Sequence, residues 1–477
     1  MHICIVGTGA SGWVSAHWLA KLKFVDKITI IGSSAIPAIG VGESTTRPFQ
    51  QMIQNLLKTK EEYDKFLVDI DAAIKYGVSY EGWSKHTYLH AFLGERNLHG
   101  YALGQKLTNE PANPYLMPLH EEIYKNNVSP DIKTQGYSFH FDANKFISAM
   151  QKLSYKNSKI THIDDTVIDS VYIEDKVSKI VLEKLGTIEA DFFISCIGQA
   201  AFNMKVFKEE YHSYSNELLT DKALFYPLKY TDKKKQFHPY TVAKTMKNGW
   251  RWITPTWSRI GTGYVFSSNH ISVDEATNEL LTDIGDMTLT PHLVDFYPRK
   301  VKKTFKINSC TLGMAAGFLE PLDAPGLAIL IWSIDKLVPL LETINKNAPV
   351  SDMIDKLNSK SSEHYDWWVS FILHQYKTCH RSDSQFWIDH KNVKFDHYDK
   401  IIENLQNVKK INNQLSFNSV HPEITMGEFF MFYNTTSGKD IQWPTVENFQ
   451  LERKAPPGHV VLKNHLDFLE EIHSQCV

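Results

Sequence analysis

The chain opens with an apolar run of strand length, His2-Ile3-Cys4-Ile5-Val6, followed by a glycine-rich turn at 7–12. Small and apolar residues then recur at Ala10, Val14, Ala16, Trp18 and Leu19, which predicts a helix over 10–22. A second run, Ile28-Thr29-Ile30-Ile31, predicts the next strand. Strand, glycine turn, helix and strand in that order point to a parallel sheet. Further strands are predicted at 166–173, 177–183 and 190–195, and Val177 to Gly186 alternates weakly, like half of a β-meander. From about residue 327 onward helices dominate, at 327–345, 351–377 and 398–407. Trp367, Trp368, Phe371 and Ile372 form an aromatic face on the second of these, which reads as core. The Lys/Asp/Asn-rich stretch 390–415 reads as a solvated helix and loop. No internal repeat or low-complexity linker interrupts the chain, so a second module is expected to be discontinuous and interlocked with the first.

Composition narrows the function classes. A chain of 477 residues can bury a large core or fold as interlocked modules. Lys plus Arg total 51 against 54 Asp plus Glu, a net charge of −3, so nothing favours a nucleic-acid partner. A small neutral or anionic substrate suits that balance. The longest apolar run, near 325–332, is too short for a bilayer, and the first strand begins where a signal peptide would stand; the expectation is a cytoplasmic protein with no membrane association. Cys4, Cys196, Cys310, Cys379 and Cys476 are scattered and odd in number, which fits buried free thiols in a reducing compartment. Cys379-His380 with His374 lacks a second ligand cluster at zinc spacing, so no metal is expected.

Gly7-Thr8-Gly9-Ala10-Ser11-Gly12 fits G-x-G-x-x-G between strand and helix. The first glycine makes the tight turn, the second lets a pyrophosphate reach the backbone, and the third lets helix pack on strand. The helix N-terminus then faces the phosphates. Gly7, Gly9, Ala10, Ser11 and Gly12 are therefore candidate dinucleotide contacts. The motif alone does not separate NAD from FAD. The acidic residue expected at the end of the second strand is absent, because Ile31 is followed by Gly32, Ser33 and Ser34. Ser33 or Ser34 offers only an uncharged contact there, which predicts looser cofactor binding. Lys75 lies in an apolar run, Asp71 to Val78, and a lysine so placed ordinarily snorkels its amine to solvent.

Several further segments, in order, carry a resemblance: Gly40-Val41-Gly42-Glu43-Ser44-Thr45, Ala72-Ala73-Ile74-Lys75-Tyr76, Gly136 to Asp142, Ala190 to Gly198, Trp250-Arg251-Trp252-Ile253-Thr254-Pro255, and Phe318 to Gly326. Together with the glycine turn, this set resembles the flavin-dependent halogenases of the tryptophan-halogenase type. The likeness covers about residues 1–390, and the shorter members, such as those of marine phages, are the nearest comparison.

The resemblance implies an α/β fold, with an FAD-binding Rossmann-like module over 1–85, 136–200 and 255–345. A mainly helical substrate module over 86–135, 201–254 and 346–477 is interlocked with it. It implies an enzyme that takes reduced FAD from a separate flavin reductase and uses dioxygen and halide to form hypohalous acid. That acid then halogenates a small electron-rich aromatic substrate. A homo-oligomer is left open. Alternatives on the same scaffold are an FAD-dependent aromatic monooxygenase and a non-catalytic flavin-binding protein.

By the same resemblance Lys75 and Asp323 are catalytic, and Trp250 and Trp252 wall the flavin off from the organic substrate. Val41, Gly42, Glu43 and Ser44 strap the isoalloxazine, while Met314, Ala324 and Leu327 line its edge. The halide site falls at Pro325 and Gly326. Asp323 stands where the family has Glu, and Pro325 where it has Thr; proline has no N–H to offer an anion. Gly326 is then the principal donor, and bromide or iodide is expected to be favoured over chloride. His140 reads as structural, as does the turn from His380 to Trp387. The poorly matching C-terminal part puts an aromatic clamp for free tryptophan in doubt, with His90, Phe92 and Trp443 as candidate wall residues.

Overall fold

A computed structural model describes residues 1–36, 43–84, 87–91, 128–129, 137–407, 463–464, 470 and 474. Val41, Gly42, Phe92 and Trp443 lie outside these residues, as does Cys476.

The N-terminal third runs β1 (His2–Val6), α1 (Ala10–Leu19), β2 (Lys27–Gly32), β3 (Glu43–Ser44), α2 (Arg47–Leu56), α3 (Lys60–Asp69), β4 (Ala73–Lys75), β5 (Gly77–Glu81) and β6 (Tyr88–Ala91). After these come β7 (Ser138–Phe141), α4 (Ala143–Ser154), β8 (Ile160–Asp164), β9 (Val167–Ile173), β10 (Lys176–Leu182), β11 (Thr187–Glu189) and β12 (Phe192–Ser195). The second half adds β13 (Lys222–Leu228), β14 (Thr241–Met246), β15 (Gly249–Pro255), β16 (Ile260–Phe266), α5 (Val273–Ile284), β17 (His292–Asp295) and β18 (Ser309–Thr311). Helices close it: α6 (Pro325–Asn345), α7 (Ser351–Thr378), α8 (Gln385–Asn392) and α9 (Asp396–Asn407).

The expected parallel sheet is present, in the order β18-β12-β1-β2-β8 with every pair parallel. Strand alternation explains its two covered faces. Ile3 and Ile5 of β1 point into a core with α1, α4 and α6. Cys4 and Val6 point the other way, onto Val177, Ile180 and Leu182 of the β9-β10-β11 meander. The four described cysteines are buried free thiols.

A seven-stranded sheet, β17-β13-β16-β15-β14-β5-β6, forms the second layer; only its β14–β5 pair is parallel among the paired strands described. One face packs on α7 and α8 through Val78, Tyr80, Trp250 and Trp252, and the other on α5 through Leu224, Tyr264 and Phe266. The stretch 201–254 was expected in a mainly helical module; it instead supplies β13, β14 and β15, because its apolar residues alternate and pair across strands. The helical layer comes from α7, α8 and α9. A fully solvated 390–415 is also corrected in part: Tyr398 and Ile401 of α9 are buried against the α7 core. Helix α1 ends at Leu19, three residues early, and α6 begins at Pro325, two residues before its expected start. Among the described residues no helix is long and apolar enough to cross a membrane.

Candidate active site

Lys75 does not snorkel. It ends β4, at one edge of the small antiparallel sheet β3-β7-β4, and its side chain is fully buried. A strand covered on both faces leaves the four-carbon stem no route to water. The Lys75 Nζ donates to the Thr45 carbonyl at 3.0 Å. The Thr45 hydroxyl in turn donates to the Phe139 carbonyl at 2.7 Å, and the Ser138 hydroxyl to the Thr46 carbonyl at 2.7 Å. The lysine is thus tied to the residue that closes the Glu43-Ser44-Thr45 motif. Burial pushes its amine down to about 7, while the Asp323 carboxylate works in the opposite direction.

Asp323 sits in the turn that enters α6. Asp323 and Ala324 both adopt the left-handed region, at φ 59° and 56°, a conformation that costs a non-glycine residue about 1–2 kcal/mol. The turn aims the Asp323 carboxylate at β5 and β6. There it accepts from the Tyr80 phenol and lies 3.1 Å from His90 Nδ1. His90 also packs against Phe371 of α7, with ring centroids 5.8 Å apart. Pro325 takes the first position of α6, where a fixed φ suits the helix start. Gly326 follows, with nothing within 4 Å of where a Cβ would stand.

Trp250 and Trp252 share one face of β15, and their ring centroids are 6.3 Å apart. Gly263 on β16, the partner of Trp252, makes room for it: a Cβ there would overlap the indole and the Leu224 carbonyl. Trp250 is anchored by a residue that the motif comparison passed over. Glu320, only 1% exposed, accepts the Trp250 indole N–H at 3.2 Å, the Thr220 hydroxyl at 2.7 Å and the Tyr376 phenol at 2.9 Å. Burial pushes its carboxyl up to about 7 against these donors. The signal was in plain view, three residues before Asp323. Tyr80 was missed for another reason: only the pairing of β5 with its neighbours turns it toward Asp323.

Both ring nitrogens of His140 are engaged by neighbouring strands. Its Nδ1 lies 2.9 Å from the Pro255 carbonyl and its Nε2 2.8 Å from Thr241 Oγ1, which itself meets Ser44 Oγ at 2.9 Å. The turn at 380–387 is anchored too: Arg381 NH1 and Trp387 Nε1 both donate to the Met246 carbonyl, at 2.8 and 3.1 Å.

The glycine turn has the shape that a dinucleotide needs. Gly7 has φ 119°, and a Cβ on it would stand 2.9 Å from the Cys196 backbone. A Cβ on Gly12 would overlap the Gly7 carbonyl, while Gly9 faces open space. Ser11 abuts Gly313, and Met314 abuts Gly198, so the turn, the end of β12 and the 313–314 turn converge. Met314 is half exposed beside this cleft, and Leu327 is buried. Ser33 Oγ accepts the Ala35 N–H at 3.3 Å within its own loop. These open and Cβ-intolerant positions fit a bound FAD.

A surface cavity of about 450 Å³, lined by His270, Gln385 and Asp389 among others, contains none of these residues.

Comparison with known proteins identifies the family. The family model described as tryptophan halogenase matches residues 2–436. The tryptophan 7-halogenase KtzQ of Kutzneria sp. (strain 744) is 27% identical over 435 residues, covering 82% of this chain and 79% of that one. The tryptophan halogenase of Shewanella frigidimarina NCIMB 400 superposes with a TM-score of 0.80 at 22% identity, covering 100% of this chain and 93% of that one. Tar14, a tryptophan C-6 flavin-dependent halogenase from taromycin biosynthesis, gives 0.81 at 22%, covering 100% and 96%. With its family model matched over most of its length, the chain belongs to the tryptophan halogenase family of flavin-dependent oxidoreductases.

Proposed function

We propose that this protein uses reduced FAD, dioxygen and halide to halogenate a small electron-rich aromatic compound, with the FAD delivered by a separate flavin reductase. The observation that carries the reading is the fully buried Lys75 amine opposed by the Asp323 carboxylate. Bound reduced FAD, with dioxygen, supplies the oxidising equivalents that turn halide into hypohalous acid. Gly7, Gly9, Ala10, Ser11 and Gly12 hold its pyrophosphate, and Ser33 lies toward its adenosine. Glu43, Ser44, Met314, Ala324 and Leu327 border its ring system, as do Val41 and Gly42 outside the described residues.

The chain's own residues divide the remaining work. Trp250 and Trp252 keep the organic substrate off the flavin. The Gly326 N–H holds the halide at the start of α6, where the helix N-terminus favours an anion. With its amine near 7, Lys75 is divided between two forms at neutral pH. The ammonium hydrogen-bonds hypohalous acid, orients it toward the ring and gives its proton to the departing hydroxide, so that water leaves as the carbon–halogen bond forms. The neutral amine instead takes the halogen, releasing water, and passes it to the ring carbon. In either route Asp323, held by Tyr80 and His90, accepts the proton lost by that carbon and returns it to the Lys75 nitrogen, which restores the starting form.

The test is an assay with a flavin reductase, NADH, FAD and chloride, bromide or iodide in parallel, trapping product on a reactive phenol. Halogenated product that disappears in Lys75→Ala supports the reading. Hydroxylated product without halide moves it to a monooxygenase, and no product with any halide moves it to a flavin-binding protein.

A further inference from the structure

Gly32 stands where a dinucleotide-binding sheet ordinarily carries its acid, and the space for a side chain there is already filled. A Cβ on Gly32 would overlap the hydroxyl and methyl of Thr8 in the glycine turn. A carboxylate is nonetheless present one strand over. Asp164 is the last residue of β8 and the register partner of Gly32 across the parallel pair. Neighbouring strands are about 4.8 Å apart, and Asp164 leans back across that gap. Its Oδ1 accepts the Ser34 N–H at 2.8 Å, and the Ser34 hydroxyl bonds the same carboxylate. Those bonds, the hydroxyl's first, hold the Asp164 carboxyl below its ordinary pKa, so it is ionised at neutral pH. It is exposed at the C-terminal edge of the parallel sheet, where ligands of such sheets bind.

We propose that Asp164 supplies, from β8, the carboxylate that accepts the ribose hydroxyls of the adenosine half of FAD. The inference rests on the FAD reading above and adds the residue that determines the cofactor's adenosine affinity. Two adjacent hydroxyls are donors that one carboxylate accepts side by side. Thr8 keeps the end of β2 narrow, so the ribose is met from the β8 side. Ser34 holds the acid in place instead of contacting the ribose itself.

Equilibrium titration of the full-length protein with FAD and with FMN, which lacks adenosine, tests this, using flavin fluorescence and Asp164→Asn. Asparagine keeps the shape and an acceptor for Ser34, and an unchanged thermal midpoint without flavin shows that the fold is kept. The expected result is a Kd for FAD raised about tenfold or more, as for loss of a charge-assisted hydrogen bond, with FMN affinity unchanged. ADP as a competitor of FAD should weaken by the same factor as FAD. An unchanged FAD affinity in Asp164→Asn overturns the inference and leaves the FAD reading standing. Equal weakening of FAD and FMN also overturns it. A parent protein that binds no FAD overturns both.

Discussion

Glu320 accepts the indole N–H of Trp250 at 3.2 Å, so the turn that carries Asp323 is pinned to the tryptophan pair on β15. Thr220 and Tyr376 donate to the same carboxylate, and burial raises its pKa against these donors. Glu320→Leu removes the acceptor for three buried donors, each costing about 1–3 kcal/mol when left unsatisfied. The variant should lose several degrees of thermal midpoint, and its purified folded fraction should release hypohalous acid or peroxide uncoupled from product. Glu320→Gln, which keeps one oxygen for the indole, should stay folded. The sign of its pH dependence follows from linkage. With the folded carboxyl raised from 4.5 to about 7, the folded state holds more protons than the unfolded one between those values. The parent's stability therefore falls as pH rises from 4.5 to about 7. Denaturant melts across that window should show the fall in the parent and its absence in Glu320→Gln; parallel curves would refute it.

Lys75 gives the opposite sign. Its folded amine sits near 7 and its unfolded amine near 10.5, so between these values the unfolded state binds more protons. Stability of the parent should rise with pH through that window relative to Lys75→Met, while Lys75→Met loses halogenation. Single-turnover rates add a mechanistic reading: a rate that rises with pH through about 7 identifies the neutral amine as the halogen carrier. A rate that falls identifies the ammonium as the donor.

Pro325 removes one N–H from the first turn of α6 and leaves Gly326 as the next donor. Pro325→Thr restores that N–H. A hydrogen bond to a charged group is worth about 1.5–3 kcal/mol, so kcat/KM for chloride should rise by about tenfold, and for the larger bromide by less, which raises the chloride-to-bromide ratio. Competition assays with both halides present measure it, and an unaltered ratio would count against a halide at this helix start.

Gly263 is set by the ring of Trp252. Gly263→Ala places a methyl on both that indole and the Leu224 carbonyl, and only the indole can move. Overpacking of this kind costs about 1–3 kcal/mol. The variant should melt earlier and show altered tryptophan fluorescence, with more uncoupled oxidant than the parent; an unchanged emission spectrum would show that the indole had not been displaced.

Much of this protein was legible before any coordinate. The glycine turn, the order of strand and helix around it, the lysine motif and the tryptophan pair are local patterns. Their backbone demands act within a few residues, so position and residue type were enough to find them. What spacing did not show is what the chain does across long separations. Lys75 reads as a snorkelling lysine until β7 and the turn at 43–46 enclose it. Residues 201–254 read as part of a helical module until β13, β14 and β15 find β16 and β5 as partners. Tyr80 meets Asp323, 243 residues away, only because the αL turn at 323–324 aims the carboxylate at β5. Asp164 comes level with Gly32 only through parallel pairing of β8 on β2. Local sequence determined the elements and the kinds of groups at the site. Burial and hydrogen-bond partners, which set the Lys75 and Glu320 protonation states, belong to the tertiary structure, because desolvation depends on everything packed around a group.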